Sequence, residues 1–273
     1  MTSLVAWVGV DSRGPASIYL ASDSRISWRS GQTWNYGRKL FVSRKYPDIL
    51  GYYGDVLFPS QVLGRVIDLV DADLLFDASD THQTRQSRIS SVLKTSFEGY
   101  PRDQVATKTF AIIYCTREYE GMASKFHISV MNWSLTSDWT EQWLDIPKES
   151  DIIGAFGSGE QIVSKWHARW SRTKEARTSR SVFSAFCDAL NSGEDAFSGG
   201  APQLVGIYRK GLGETFGMIS KSERFVFGLP VAESEKLGMI EWRNSLFERC
   251  DWRTKEPLPE AQRHARPRGL GNA

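Results

Sequence analysis

The chain opens on an apolar run, Leu4-Val5-Ala6-Trp7-Val8, within residues 3–10. A turn cluster, Asp11-Ser12-Arg13-Gly14-Pro15, interrupts it, and residues 17–21 resume it, which predicts two strands. Residues 39–43 and 49–53, around Tyr46-Pro47-Asp48, read as a second hairpin. The period then changes. From Pro59 onward Val62, Leu63, Val66, Ile67 and Val70 recur at helical spacing. A polar stretch, residues 77–84, separates this helix from another carrying Ile89, Val92, Leu93 and Phe97, which Gly99-Tyr100-Pro101 closes. Strands return over 107–115, 126–133, 141–146 and 152–156. Two further helices are expected over 160–170 and 181–190, then strands over 204–208, 214–219 and 224–227.

The order is strands, two helices, strands, two helices, strands. It lacks the strict βαβα alternation of a parallel sheet and implies antiparallel sheets with paired helices outside them. Two sheets face to face, each covered by a helical layer, account for it: an α+β, four-layer αββα sandwich. The expected organisation is one domain over 2–230, a C-terminal extension over 231–256 packed on it, and a tail over 257–273 without apolar periodicity. That tail, with Pro257, Pro259, Pro267, Gly269 and Gly271, is expected to be disordered.

Composition narrows the class. At 273 residues, 41% hydrophobic and 24% charged, the chain reads as soluble and globular, with enough length to bury a core unaided. No basic segment precedes the short first apolar run, so no leader is expected, and no stretch has the length of a membrane span. Cys115, Cys187 and Cys250, odd in number and widely spaced, give neither a disulfide framework nor a metal-ligand pattern; a reducing cytoplasm fits them. No metal or cofactor is expected. A formal net charge of +2 provides no global field for nucleic acid. Basic residues gather at 165–180 and at Arg263, Arg266 and Arg268, a pattern that suits a solvated helix face and a tail. Trp133, Trp139, Trp143, Trp166 and Trp170 suit a broad core or a subunit interface.

The candidate chemistry begins at Thr2. A small residue behind an initiator Met favours removal of that Met, which would leave an α-amine and a γ-hydroxyl on one residue: a base and a nucleophile together. Asp23, in Ala21-Ser22-Asp23-Ser24-Arg25, ends the second strand, where it can orient a cation or simply serve a turn. Lys39, in Gly37-Arg38-Lys39-Leu40-Phe41, opens a strand; desolvation there would lower its pKa, unless its head reaches water. Gly54, in Gly51-Tyr52-Tyr53-Gly54-Asp55, sits between strand and helix, suited to an oxyanion contact or a tight turn. Ser158, in Gly157-Ser158-Gly159, is a candidate N-cap of the next helix. Asp195 to Gly200 forms a polar loop ending Ser198-Gly199-Gly200.

In that order, these stretches make the chain resemble the β-type subunits of proteasomes, within the N-terminal-nucleophile hydrolase superfamily. The resemblance runs from Thr2 to about Phe227 and includes the positions of the helix pairs. It implies that Thr2 is the nucleophile, that Asp23 and Lys39 are its charged partners, and that the Gly54 N–H holds the oxyanion. Ser158, Asp195 and Ser198 would support the amino terminus, and Ile26, Ser27 and Tyr52 would lie along the substrate cleft. The Tyr52-Tyr53 pair before Gly54 is bulkier than that family pattern, and no propeptide precedes Thr2.

The function so implied is a threonine peptidase that cleaves peptides or unfolded proteins inside a closed homo-oligomer, such as a ring, served by an ATP-dependent unfoldase or other regulator. Membranes and nucleic acid are not expected partners. Two alternatives stand beside it: an inactive scaffold subunit, against which the N-terminal Thr argues, and an amide hydrolase of the same superfamily acting on a small molecule.

Overall fold

The computed structural model describes residues 2–28, 30–263, 266–267 and 270. Met1, whose removal the expected chemistry would require, and Arg268, Gly269 and Gly271 of the tail lie outside the described residues. In chain order the strands are β1 (Ser3–Asp11), β2 (Gly14–Ser22), β3 (Ile26–Ser27), β4 (Thr33–Trp34), β5 (Leu40–Val42) and β6 (Asp48–Gly54). Helices α1 (Leu57–Asp71) and α2 (His82–Glu98) follow, then β7 (Thr109–Glu118), β8 (Lys125–Ser134), β9 (Asp138–Leu144) and β10 (Asp151–Gly157). Next come α3 (Glu160–Trp170) and α4 (Ser179–Ser192), then β11 (Gln203–Tyr208), β12 (Gly213–Ser220), β13 (Glu223–Val226), β14 (Leu229–Pro230), β15 (Glu241–Arg243) and β16 (Arg249–Cys250).

Two principal sheets result. The first runs β10-β1-β2-β11-β12-β13-β14, with β15 parallel on β12 and β16 beside β15. The second is the meander β5-β6-β7-β8-β9, antiparallel throughout. The period-2 geometry of β1 explains the layering. Leu4 and Ala6 meet Leu40, Ile49, Ile113 and Val205 between the sheets. Val5 and Trp7 face the other way, onto Trp166, Trp170, Phe183 and Phe186 of α3 and α4. Both faces are covered, so β1 reads as a continuous apolar run rather than an alternating one. The second sheet repeats the scheme: Leu50, Tyr52, Ile112 and Tyr114 turn outward beneath Leu63, Val66, Leu93 and Phe97 of α1 and α2. The αββα sandwich expected from the sequence is the observed architecture.

The differences are local. The first turn shrinks to Ser12-Arg13 because β1 and β2 pair out to Asp11 and Gly14. Helix α2 begins inside the polar stretch, where the Thr81 hydroxyl accepts the Thr84 N–H and caps it. Strand β9 starts before residue 141, since β8 and β9 pair back to Ser134 and Asp138. The short strands β3, β4 and β14–β16 carry too few residues to show a period.

The segment after Phe227 is tied to the first sheet. Trp242 is buried, and it packs with Leu237, Cys250, Trp252 and Ile219 as a satellite core. A Cβ on Gly217 would stand 2.4 Å from the Trp242 ring, so glycine is what lets the indole lie on β12. Part of the tail expected to be disordered is also engaged. Pro257 bridges to Cys250, Arg266 pairs with Asp188 at 2.8 Å, and Leu270 is buried. Trp242→Ala is expected to lower the unfolding free energy by about 3–5 kcal/mol in urea titration; a loss below about 1 kcal/mol would show that this segment rests on the domain without supporting it.

Candidate active site

The end of β2 delivers Asp23 into the interior, where its carboxylate collects four donors. Oδ1 accepts the Ser3 N–H at 3.1 Å and Lys39 Nζ at 2.6 Å; Oδ2 accepts the N–H groups of Arg25 and Gly199, each at 3.0 Å. The Asp23 N–H in turn donates to the Ser3 carbonyl at 3.1 Å. The Lys39 and Asp23 side chains are both fully buried. Desolvation pushes the Lys39 ammonium below its ordinary value, and the Asp23 charge opposes that shift only in part. A turn role for Asp23 and a solvated head for Lys39 are therefore both set aside: the two side chains form one buried ion pair beside residue 3.

A second polar chain approaches residue 3 from the other side. The Ser3 hydroxyl donates to Ser198 Oγ at 2.8 Å, Ser198 donates to Asp195 Oδ2 at 2.7 Å, and Ser158 donates to the same oxygen at 2.8 Å. Ser158 is thus not the N-cap of α3. Gly159 holds that position without a side-chain cap, because Asp195 draws the Ser158 hydroxyl away. The flanking glycines allow the close approach: a Cβ on Gly157 (φ +86°) would stand 2.0 Å from the Thr2 carbonyl oxygen, and one on Gly159 1.7 Å from Ser3 Oγ. Thr2 itself is fully buried, and among the described residues its Oγ1 has no hydrogen-bond partner.

Of the expected cleft residues, Ile26 and Ser27 line a cleft of about 790 Å³, together with Gly54, the expected oxyanion donor, and with Trp28, Leu57 and Val105. Thr2 is not among its lining residues. The Ser27 hydroxyl donates to the Phe197 carbonyl at 3.3 Å, which joins this cleft to the Asp195–Ser198 loop. Gly54 closes β6 with φ +94°. Tyr52 does not reach the cleft. Its parity on β6 turns it to the helix side, into the core with Phe41 and Leu63, where its hydroxyl donates to the Arg38 carbonyl at 3.2 Å.

Sequence reasoning missed Gln203. Its Oε1 accepts the Lys39 N–H at 3.0 Å, while Nε2 donates to the carbonyls of Asp23 (3.0 Å) and Gly37 (2.8 Å) and to Ser24 Oγ (3.3 Å). One amide fastens the segment of Asp23 to the segment of Lys39. A glutamine opening the apolar run Gln203-Leu204-Val205 was the available signal, since a buried amide needs partners. Gln203→Leu leaves several buried groups unmet and is expected to cost at least about 2 kcal/mol by urea titration. Wild-type stability in that variant would refute the clamp.

A scan against family models finds no match, and a search of curated proteins finds none either. Among solved structures, eukaryotic HslV from Trypanosoma brucei is similar at 12% sequence identity and a TM-score of 0.45, over 75% of this chain and 99% of that one.

Proposed function

We propose that the chain is an N-terminal threonine hydrolase that cleaves peptide bonds, with Thr2 as nucleophile once Met1 is removed. The observation that carries this reading is the buried Lys39–Asp23 pair at 2.6 Å, whose carboxylate also holds the N–H of the residue after Thr2. A hydroxyl needs a base before it attacks a carbonyl, and a free α-amine, with a pKa of about 8, is close to neutral at working pH. In our reading the α-amine or Lys39 accepts the Thr2 proton as Oγ1 bonds to the peptide carbonyl carbon. Asp23 holds Lys39 in place and balances its charge. The Gly54 N–H is assigned to the oxyanion, which collapses as the C–N bond breaks and the leaving amine takes a proton. The ester left on Thr2 is then cleaved by water. Ser158, Asp195 and Ser198 position the amino terminus through Ser3.

The cleft that Ile26, Ser27 and Gly54 line supports a peptide substrate, with Trp28, Leu57 and Val105 as an apolar wall for its side chains. The reading extends to a closed homo-oligomer and to an unfoldase or other regulator that feeds it. Trp28, Trp34, Tyr36 and Phe197 are exposed around the cleft and give such an assembly apolar surface. Among the described residues, no helix is long and apolar enough to cross a membrane.

Intact mass with and without a β-lactone electrophile tests the nucleophile. The expected species lacks Met1 and gains one adduct on Thr2, and under native conditions its mass is a whole multiple, greater than one, of that of the processed chain. A chain that keeps Met1 and takes no adduct ends the enzyme reading. A pH series tests the base. Burial lowers the Lys39 pKa, so its neutral form is reached below the usual lysine range, and activity should fall as acidification reprotonates the site. Lys39→Arg retains the charge but cannot release its proton, and is expected to lower kcat/KM by about 1,000-fold or more. A folded Lys39→Arg enzyme with wild-type turnover would exclude Lys39 from proton transfer.

A further inference from the structure

A second cluster of functional side chains lies far along the second sheet. Phe110 of β7 pairs with Gly54 at the cleft, whereas Glu118 closes the opposite end of the same strand. There Glu118 stands between two histidines. Its Oε1 is 3.0 Å from His82 Nδ1, in the first turn of α2, and its Oε2 is 3.2 Å from His127 Nε2, on β8. One donor atom from each residue lies within 4.8 Å of the other two. We propose that His82, Glu118 and His127 bind a divalent transition-metal ion of the zinc type.

Two features of the geometry favour a cation here over a plain hydrogen-bonded triad. The two imidazole nitrogens that face the carboxylate are buried, yet neither makes a well-aligned hydrogen bond. Glu118 stands within ion-pair distance of both without aligned hydrogen bonds, and a cation among the three would satisfy all of them. The rings are stacked, with centroids 3.5 Å apart and planes within 7°. The donor set also fits. Two imidazoles and one carboxylate at bond lengths of about 2.0–2.2 Å make a tetrahedral zinc site whose fourth position takes water. Oxygen-preferring magnesium or calcium would find too few oxygens.

Glu118 is already oriented for this, because Oε1 accepts the His82 backbone N–H at 2.8 Å. Such a contact to a ligand carboxylate fixes its direction. The lone pairs of an imidazole lie in its ring plane, so coordination requires the stacked rings to hinge apart. Trp143 stands edge-on to both rings, at centroid distances of 4.9 and 6.1 Å, and is 40% exposed. A bound ion would fasten the first turn of α2 to the β7–β8 hairpin, at the end of the sheet remote from the proposed nucleophile.

The test uses the full chain, freed of metal by a chelator and titrated with Zn²⁺ against a chromophoric competitor. We expect one zinc ion per chain at micromolar affinity or tighter, and a higher Tm with zinc than without. Co²⁺ in place of zinc should give the visible bands of a tetrahedral N/O site. His127→Gln and Glu118→Gln should each weaken binding by about tenfold or more, while His167→Gln, outside the cluster, should leave it unchanged. Substoichiometric binding by the wild-type chain overturns the proposal without recourse to any variant. So does stoichiometric binding that both cluster variants retain. A rise in Tm on acidification with no response to zinc would assign the triad to protonation instead, and overturns the metal site equally.

Discussion

The carboxylate of Asp23 is the point on which the site's geometry depends. It accepts hydrogen bonds from the backbone of Ser3, Arg25 and Gly199 and from the ammonium of Lys39. Four chain segments are therefore registered to one side chain: the start of β1, the turn after β2, the residue ahead of β5 and the loop before β11. A carboxylate with four donors is well solvated by protein, which is the condition for keeping a charge in a dry interior. Without those donors the ion pair would be a net burden on the fold. With them, Lys39 can remain close to the amino terminus with its proton affinity lowered.

The layered architecture produces that environment. Strand β1 has one face against the second sheet and the other against α3 and α4, so the residues at its beginning are buried on every side. Burial by two layers excludes water from Thr2, Asp23 and Lys39 together. The same packing makes polar satisfaction obligatory nearby. Gln203 meets it for the Asp23 and Lys39 segments, and the Ser3–Ser198–Asp195–Ser158 chain meets it on the other side. Gly157 and Gly159 complete the arrangement by what they lack, since a Cβ at either would collide with residue 2 or 3.

Much of the layer order was legible in the sequence, because β1, β2 and β7 are long apolar runs and α1 places apolar residues at helical spacing. The site was legible as short motifs in a fixed order, and the structure brings Asp23 to Lys39 and Ser158 to Asp195 and Ser198. What sequence could not supply was direction. Tyr52 was expected along the cleft, but strand parity sends it under the helices, and only the register of β6 decides that. Ser158 read as a cap because capping is a local pattern, whereas its true partner is 37 residues away. Gln203 and the His82–Glu118–His127 cluster have no spacing signature. Their members come from elements that meet only once the sheet has formed.

The buried ion pair also separates what the fold needs from what the proposed chemistry needs. Asp23 is bound to three backbone N–H groups, so its loss would leave buried donors unmet whatever Lys39 did. Lys39 is different. Among the described residues its ammonium bonds to Asp23, whose buried carboxylate would lose its counter-charge if an apolar side chain replaced the lysine. Folding accounts for a cation at this position, but not for one able to release its proton. The proposed proton transfer with Thr2 would account for that, because the desolvation of Lys39 also lowers its hold on its proton. Lys39 is in this way the residue most informative about the proposed site.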